Sequence, residues 1–277
     1  MNLTELLQVL TGLSEAHRPI RLRLSHAKGV LDDVLTVKRV TGTETLCGGL
    51  EYRLLCLSTR ADLPLKEFIA LPVELQFVTD RGELRAVCGI VAQAAAGQSD
   101  GGLATYQLVV RDALALMELR TNTRVFRNRN EIEITEVILA EWRQNNPVLA
   151  QAFNADWSHV TGDYPAREFT MQHNESDAGF LRRLWKRRGI AWYMRPGQAS
   201  QSPSADIPAH TLVLFDDGFT LPRNGAAAFV QPYRHDAGKP VPGRHQEQGS
   251  AWQPLQPAAV RRHPGRDQRA IVFAARS

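Results

Sequence analysis

Cysteine is scarce in this chain: Cys47, Cys56 and Cys88 are the only three among 277 residues. An odd count at wide spacing argues against a disulfide framework and offers no four-ligand zinc pattern. Cys56 and Cys88 lie in apolar, strand-like runs, so buried, reduced thiols are expected. Long apolar runs are missing as well, and no uncharged stretch approaches the length that crosses a bilayer. The opening residues, MNLTELLQVLTGLSEAHRP, lack the basic start and cleavage site of a secretory signal. The sequence therefore predicts a protein made in the cytosol, with no cleaved signal and no membrane insertion of its own. Catalytic fingerprints are equally sparse. There is no G-x-S-x-G elbow, phosphate loop, H-E-x-x-H or G-x-G-x-x-G. The Gly97–Gly102 stretch precedes a strand, so it offers no helix N-terminus to a phosphate.

What is present is an ordinary globular composition, 43% hydrophobic and 22% charged. The formal net charge is +4. The basic residues are dispersed until the last third and accompany no nucleic-acid motif, which speaks against specific nucleic-acid binding. Residues 3 to 13 have the pattern of a short amphipathic helix or a packing arm. From Ile20 the pattern turns to strands: Ile20 to Leu24, Val34 to Val40, Tyr52 to Ser58, Val73 to Val78, Leu84 to Ala92 and Ala104 to Arg111. Turns are expected at Thr41-Gly42-Thr43, at Asp80 to Gly82 and at Gly97 to Gly102. Short strands at this spacing predict a barrel or sandwich rather than βαβ units. Helical signals follow. Asn130 with Glu133 forms a capping-box pattern, Ile134, Val137, Ile138 and Trp142 line one face, and Pro147 ends the helix. His210 to Asp216 reads as a strand, and Pro232 to Arg269 as a long irregular basic segment. Ala270 to Ala274 reads as a last strand with little chain left to pair with, so a neighbouring subunit or a longer architecture is its expected partner.

The best-specified window is Tyr164 to Met194. Phe169 and Met171 alternate with Thr170 and Gln172, as in a half-buried strand. Asn174 to Asp177 is cap chemistry, with Ser176 and Asp177 as the helix caps and Glu175 suited to the positive end of the helix. Phe180, Leu181, Leu184 and Trp185 make one apolar face. Lys186, Arg187 and Arg188 load the last turn, and Gly189 suits the left-handed stop. Ile190, Trp192 and Met194 resume a period of two. Trp142, Trp157, Trp185, Trp192 and Tyr193 are core candidates by pattern. His173, Glu175 and Asp177 can be drawn as a metal or acid–base cluster, although capping explains the acids better. Asp216-Asp217-Gly218 reads as a turn rather than a carboxylate pair. Arg261, Arg262, His263, Arg266 and Arg269 form the densest basic patch, read as a solvated loop.

This window resembles the hallmark of the VgrG spike proteins of type VI secretion, Q-Y-x-E-S-D-x-x-F-x-x-R-L followed by a G-I and an aromatic strand. The matching positions are Gln172, Glu175, Ser176, Asp177, Phe180, Arg183, Leu184, Gly189, Ile190 and Tyr193. His173 stands where the family has Tyr, and Met194 where it has a final Phe. Gly89-Ile90-Val91, the Tyr106 to Leu119 run (with Asp112 near the usual Pro), the Phe126 and Asn130 segment, and Leu212 to Asp216 resemble further family segments. The resemblance implies a mainly β fold with α inserts, built from phage tail-hub-like β-barrel tube domains. Residues 1–19 would be an N-terminal arm or short helix, 20–120 a first barrel, 121–195 a helical and strand insert, and 196–277 part of an incomplete second barrel carrying the long basic loop. It implies a non-enzymatic hub subunit with no cofactor and no metal. Its partners would be two further copies in a homotrimer, an Hcp-like tube hexamer and baseplate proteins, with effectors or a needle supplied by another chain. It would leave the cell through the secretion apparatus. A contractile phage or pyocin tail hub is the alternative; a hydrolase or a nucleic-acid-binding module fits less well.

Overall fold

Period-two alternation builds the largest element of the fold. The computed structural model describes residues 18–26, 29–31, 34–78, 83–99, 102–199, 206–222 and 271–276. The chain divides into two units. The first is Met1–Leu221 with Arg269–Ser277; the second, Pro222–Gln268, lies almost wholly outside the described residues. In the first unit, β1 (Ile20–His26), β2 (Gly29–Leu31), β3 (Thr36–Thr45), β4 (Gly49–Ser58), β5 (Pro72–Val78), β6 (Leu84–Ser99), β7 (Ala104–Arg111) and β13 (Ile271–Arg276) form one sheet. Its order is β13-β3-β4-β7-β6-β5-β1-β2, and every ladder is antiparallel. On β4, Leu50, Tyr52, Leu54 and Cys56 point inward; on β7, Tyr106, Leu108 and Val110 face them in register. They share one apolar cluster with Leu22 and Leu24 of β1 and Val37 and Val40 of β3. Four strands separate β1 from β3 in the sheet, yet the two touch, and Arg18 donates to the Val37 carbonyl at 3.3 Å. The sheet therefore curls into a half-barrel around its apolar face, each buried Leu or Val contributing about 1.5–3 kcal/mol.

Three sequence expectations change here. No turn occurs at Thr41-Gly42-Thr43; β3 runs straight through it. Gly42 is needed for close packing, because a Cβ there would lie 2.1 Å from the Tyr52 ring. The turn falls instead after Thr45, with Cys47 at φ 59°. β6 likewise continues through Gly97 to Ser99. The last strand does find a partner in its own chain: β13 pairs along β3 from Ile271↔Glu44 to Arg276↔Arg39. The expected hairpin at Asp80 to Gly82, the helix over residues 3 to 13, and the basic patch from Arg261 to Arg269 lie outside the described residues, although β5 and β6 pair on either side of the first.

Apart from α1, the remaining elements form a second cluster. α1 (Leu65–Phe68) closes a loop over the half-barrel core, and α2 (Ala113–Met117) is capped by Asp112. β8 (Thr121–Phe126) leads into α3 (Glu131–Asn145), whose Asn130–Glu133 capping box is present in full. Pro147 ends α3 as expected and also occupies the first turn of α4 (Pro147–Ala152), where its missing N–H costs nothing. β9 (Phe153–His159) was not legible in the sequence. It pairs in parallel with β12 (His210–Phe215), which pairs with β11 (Ala191–Arg195) on its other side. β10 (Thr170–Ser176) and β8 make a two-stranded ribbon, followed by α5 (Asp177–Arg188). α3 and α5 pack Ile134, Ile138, Leu139 and Trp142 with Phe180, Leu181, Leu184 and Trp185 onto Phe153, Trp192, Leu212 and Leu214. Trp157 and Tyr193 are only half-buried. Cys56 and Cys88 are buried and Cys47 is half-buried, and none of the three forms a disulfide.

Candidate functional site

The ribbon and α5 hold all ten motif positions or adjoin them. Ser176 caps α5 by accepting from the Gly179 N–H at 3.1 Å. Gly189 ends it at φ 74°, a conformation that favours glycine, and the Ile190 N–H reaches back to the Trp185 carbonyl at 2.9 Å. Phe180 stacks on Phe126, and Leu184 is fully buried beside Trp185. Tyr193 meets the edge of Phe215 at 6.1 Å. The expected polarity of β10, however, is reversed. Thr170 and Gln172 are buried, whereas Phe169 is 54% and Met171 37% exposed. Met171 lies opposite Val125, itself 44% exposed. The polar face of the ribbon points in.

The cause is Asp177. It does not cap the helix; as its first residue it turns its carboxylate inward and is fully buried. Oδ1 accepts from Asn122 Nδ2 at 2.9 Å, Gln172 Nε2 at 2.8 Å and Arg124 Nη2 at 3.0 Å. Oδ2 accepts from Arg120 Nε at 2.7 Å and Trp142 Nε1 at 2.8 Å. Glu141 on α3 then binds both guanidinium groups, Arg120 at 2.9 Å and Arg124 at 2.6 Å. Arg124 also donates to Gln172 Oε1 at 2.9 Å, and Arg120 sits 4.5 Å over the Trp142 ring. Burial pushes the Asp177 carboxyl up, but the hydrogen bonds from Asn122, Gln172, Arg120 and Trp142 outweigh it and hold the group below the usual carboxylate range. An ionised, fully coordinated carboxylate ties β8, β10, α3 and α5 together. Such a group is poorly suited to proton transfer, because its donors already fill the oxygens.

The drawn trio of His173, Glu175 and Asp177 does not converge. Glu175 turns to Arg183, whose guanidinium it pairs with twice, and that hydrogen bond holds its carboxyl low. His173 is exposed. Among the described residues no group of three acids, histidines or cysteines could hold a metal ion. Asp217 caps a short 3-10 turn, Gly218–Thr220. Asp216 instead accepts from the Thr161 and Gly162 N–H groups and from the Tyr164 hydroxyl, which fixes the loop before β10. Sequence reasoning missed Arg120, Asn122, Arg124 and Glu141. The spacing of two puts Arg120, Asn122 and Arg124 on one strand face, but Thr121 and Thr123 between them are polar as well, so alternation alone does not mark that face as the buried one.

A second buried polar junction joins the half-barrel to the three-stranded sheet. Asp112 accepts from the Leu50 N–H at 2.8 Å and the Ala115 N–H at 3.2 Å, and burial pushes its carboxyl up. The next N–H, that of Ala113, donates to His210 Nε2 at 3.0 Å. His210 is fully buried, with Phe153 at 5.4 Å, and burial pushes it down to about 4, so the ring is neutral.

Comparison with known proteins follows the same segments. Residues 43–267 match the family described as "Phage tail baseplate hub (GPD)". The chain is 32% identical over 204 residues to the type VI secretion system spike protein VgrG4b of Pseudomonas aeruginosa, covering 74% of this chain and 22% of that protein. It is 27% identical over 184 residues to VgrG1b of the same organism, covering 66% and 22%. The chain thus spans about a fifth of the length of these relatives. In three dimensions it is similar to the E. coli c3393 protein, a component of the type VI secretion system with structural similarity to T4 bacteriophage tail proteins gp27 and gp5. The TM-score is 0.59 at 21% identity, over 73% of this chain and 51% of that one.

Proposed function

Because the chain belongs to the phage tail baseplate hub family, we propose that it is a structural subunit of a VgrG-like hub, at the base of a spike in a contractile injection machine. The observation that carries this reading is the family match, which spans the ribbon, α5 and strands β4 to β7 of the half-barrel. In the finer reading, three copies form a ring, with residues 20–120 as one tube domain, 121–195 as an insert and 196–277 contributing to a second. The ring docks on an Hcp-like hexameric tube and on baseplate proteins, and effectors or a needle come from chain beyond these segments or from another polypeptide. The subunit works through its surfaces and needs no cofactor, and the apparatus carries it out of the cell. The closed Asp177 network supports this, since its best-built polar cluster is spent on holding elements together. Light scattering on the purified chain tests the trimer, with a mass three times 30.9 kDa expected. Co-sedimentation with Hcp-like hexamers tests the docking. A strict monomer that leaves the rings unbound would sink both parts. A contractile phage or pyocin tail hub is the second reading, favoured by the family's own description; sheath and tape-measure genes beside the coding sequence would decide for it.

A further inference from the structure

Two unusual surfaces meet at Arg183. The first is the outer face of the ribbon. Thr121, Thr123 and Val125 of β8 alternate outward, as do Phe169, Met171 and His173 on and before β10. No Lys, Arg, Asp or Glu lies among them, although 22% of the chain is charged. Large apolar side chains left exposed together beside polar ones mark interaction sites. The second is the outward face of α5, a shallow cleft floored by Gly179 and lined by Arg182, Arg183, Lys186 and Arg187. Arg182 is paired with Glu118 and Arg183 with Glu175. Among the described residues Lys186 and Arg187 have no carboxylate partner. Dipole stabilisation accounts for cations in the last turn only; this face extends a full turn further back. Arg183 Nη2 donates to the Met171 carbonyl at 2.9 Å, so the cationic face borders the apolar one directly.

We propose that these two faces form one docking surface for a protein segment that carries large apolar side chains flanked by carboxylates. The charge of the flank selects the carboxylates. The uncharged centre selects a protein over a nucleic acid, whose phosphates would leave Phe169, Met171 and Val125 without a counterpart. The proposal does not rest on ring formation, and its test reads peptide binding alone, so either reading can fail without the other.

The test uses the full chain and a fluorescent synthetic peptide with a central Leu-Phe pair flanked by glutamates, followed by anisotropy. Wild type binds it. The double variant Lys186→Glu and Arg187→Glu weakens binding at least tenfold, and Met171→Asp weakens it comparably, each variant still folded by circular dichroism, with a small drop in melting temperature for the charge reversal because carboxylates then sit at the negative end of α5. The neutral pair Lys186→Gln and Arg187→Gln falls between. The idea is overturned if the peptide does not bind, if charge reversal leaves binding intact, or if an all-glutamate peptide binds as well as the one with the apolar pair. It is equally overturned if a single-stranded oligonucleotide binds more tightly and displaces the peptide, which would make the face a nucleic-acid surface.

Discussion

The half-barrel and the ribbon with α5 are both β structures packed against an apolar cluster, but they are built on opposite rules. In the half-barrel, strands put Leu, Val and Tyr on the inner face and polar or charged residues on the other, where Arg23 and Glu74 form a buried ion pair at 2.7 Å, and the core is held by burial. In the ribbon, Gln172, Asn122 and Arg124 face in around a carboxylate, while Phe169, Met171 and Val125 face out. Inside the ribbon both Asp177 oxygens are met by donors, and only the Arg120 Nη2 and the Thr170 hydroxyl go without a partner there; each unpartnered buried group costs up to several kcal/mol. The difference separates two tasks. A half-barrel encodes a fold that tolerates apolar exchange. A charge knot specifies one arrangement of four elements and frees an apolar face for the outside.

The sharpest way to break this comparison is to remove the knot's centre. Asp177→Ala removes the acceptor shared by Arg120, Arg124 and the Trp142 N–H, leaving the arginines to Glu141 and Gln172 alone, and should cost roughly 3–5 kcal/mol in chemical denaturation, a large share of the stability of an ordinary domain. In the half-barrel, Leu108→Ala removes apolar contacts only and should cost about 2–5 kcal/mol through transfer and cavity terms. The two should also differ with acid. The Asp177 carboxyl lies low in the fold, so its stabilisation is complete above the unfolded value near 4 and fades as pH falls through the folded one. The Leu108 variant should keep that acid limb, and Asp177→Asn should lose it. Identical limbs would show that the knot is not held by charge.

The half-barrel was the legible part. Its strands follow alternation, and only glycines misled, because Gly42 signals a close approach to Tyr52 as readily as a turn. The caps and stop of α5 were legible for the same local reason: Ser176, Gly189 and the Phe180–Trp185 face depend on neighbours within a few residues. The knot was not. Four of the five donors to Asp177 lie 35 to 57 residues away on the sequence and only Gln172 is near, so little that is local marks it as more than a cap. Alternation in β10 gave the right element and the wrong face, because period two fixes that residues alternate but not which set lies inside.

The junction between the regions makes a smaller, pH-dependent prediction. His210 is neutral in the fold at values down to about 4, whereas the unfolded ring takes a proton below about 6.5. The unfolded state binds more protons in that window, so stability is intact above it and falls by about 1.4 kcal/mol per pH unit on acidification, roughly 2 kcal/mol by pH 5. His210→Gln, compared with wild type in urea at pH 7 and pH 5, should show a shallower loss. Taking the difference also separates the histidine from Asp112, whose raised carboxyl takes up a proton in the fold and works in the opposite direction. A cap gives less still. Ser176→Ala removes one acceptor at the start of α5 and should cost about 1 kcal/mol by thermal melting, with Ser176→Thr restoring most of it.

The smallest expected effect is the most discriminating. Met171→Gln on the outer face of the ribbon should change stability by less than about 0.5 kcal/mol, as surface substitutions do, although an equivalent change at Leu54 or Leu108 would bury an unpartnered amide in the half-barrel core. Apolar character at Met171 contributes little to the fold of this chain, since its inward neighbours already satisfy the ribbon. A loss of several kcal/mol at Met171 would mean that the outer face is covered within the chain itself and that the two regions follow the same rule. A neutral result leaves the apolar side chains at Phe169, Met171 and Val125 without a folding role, and their cost in exposed surface is then explained only by something that binds there.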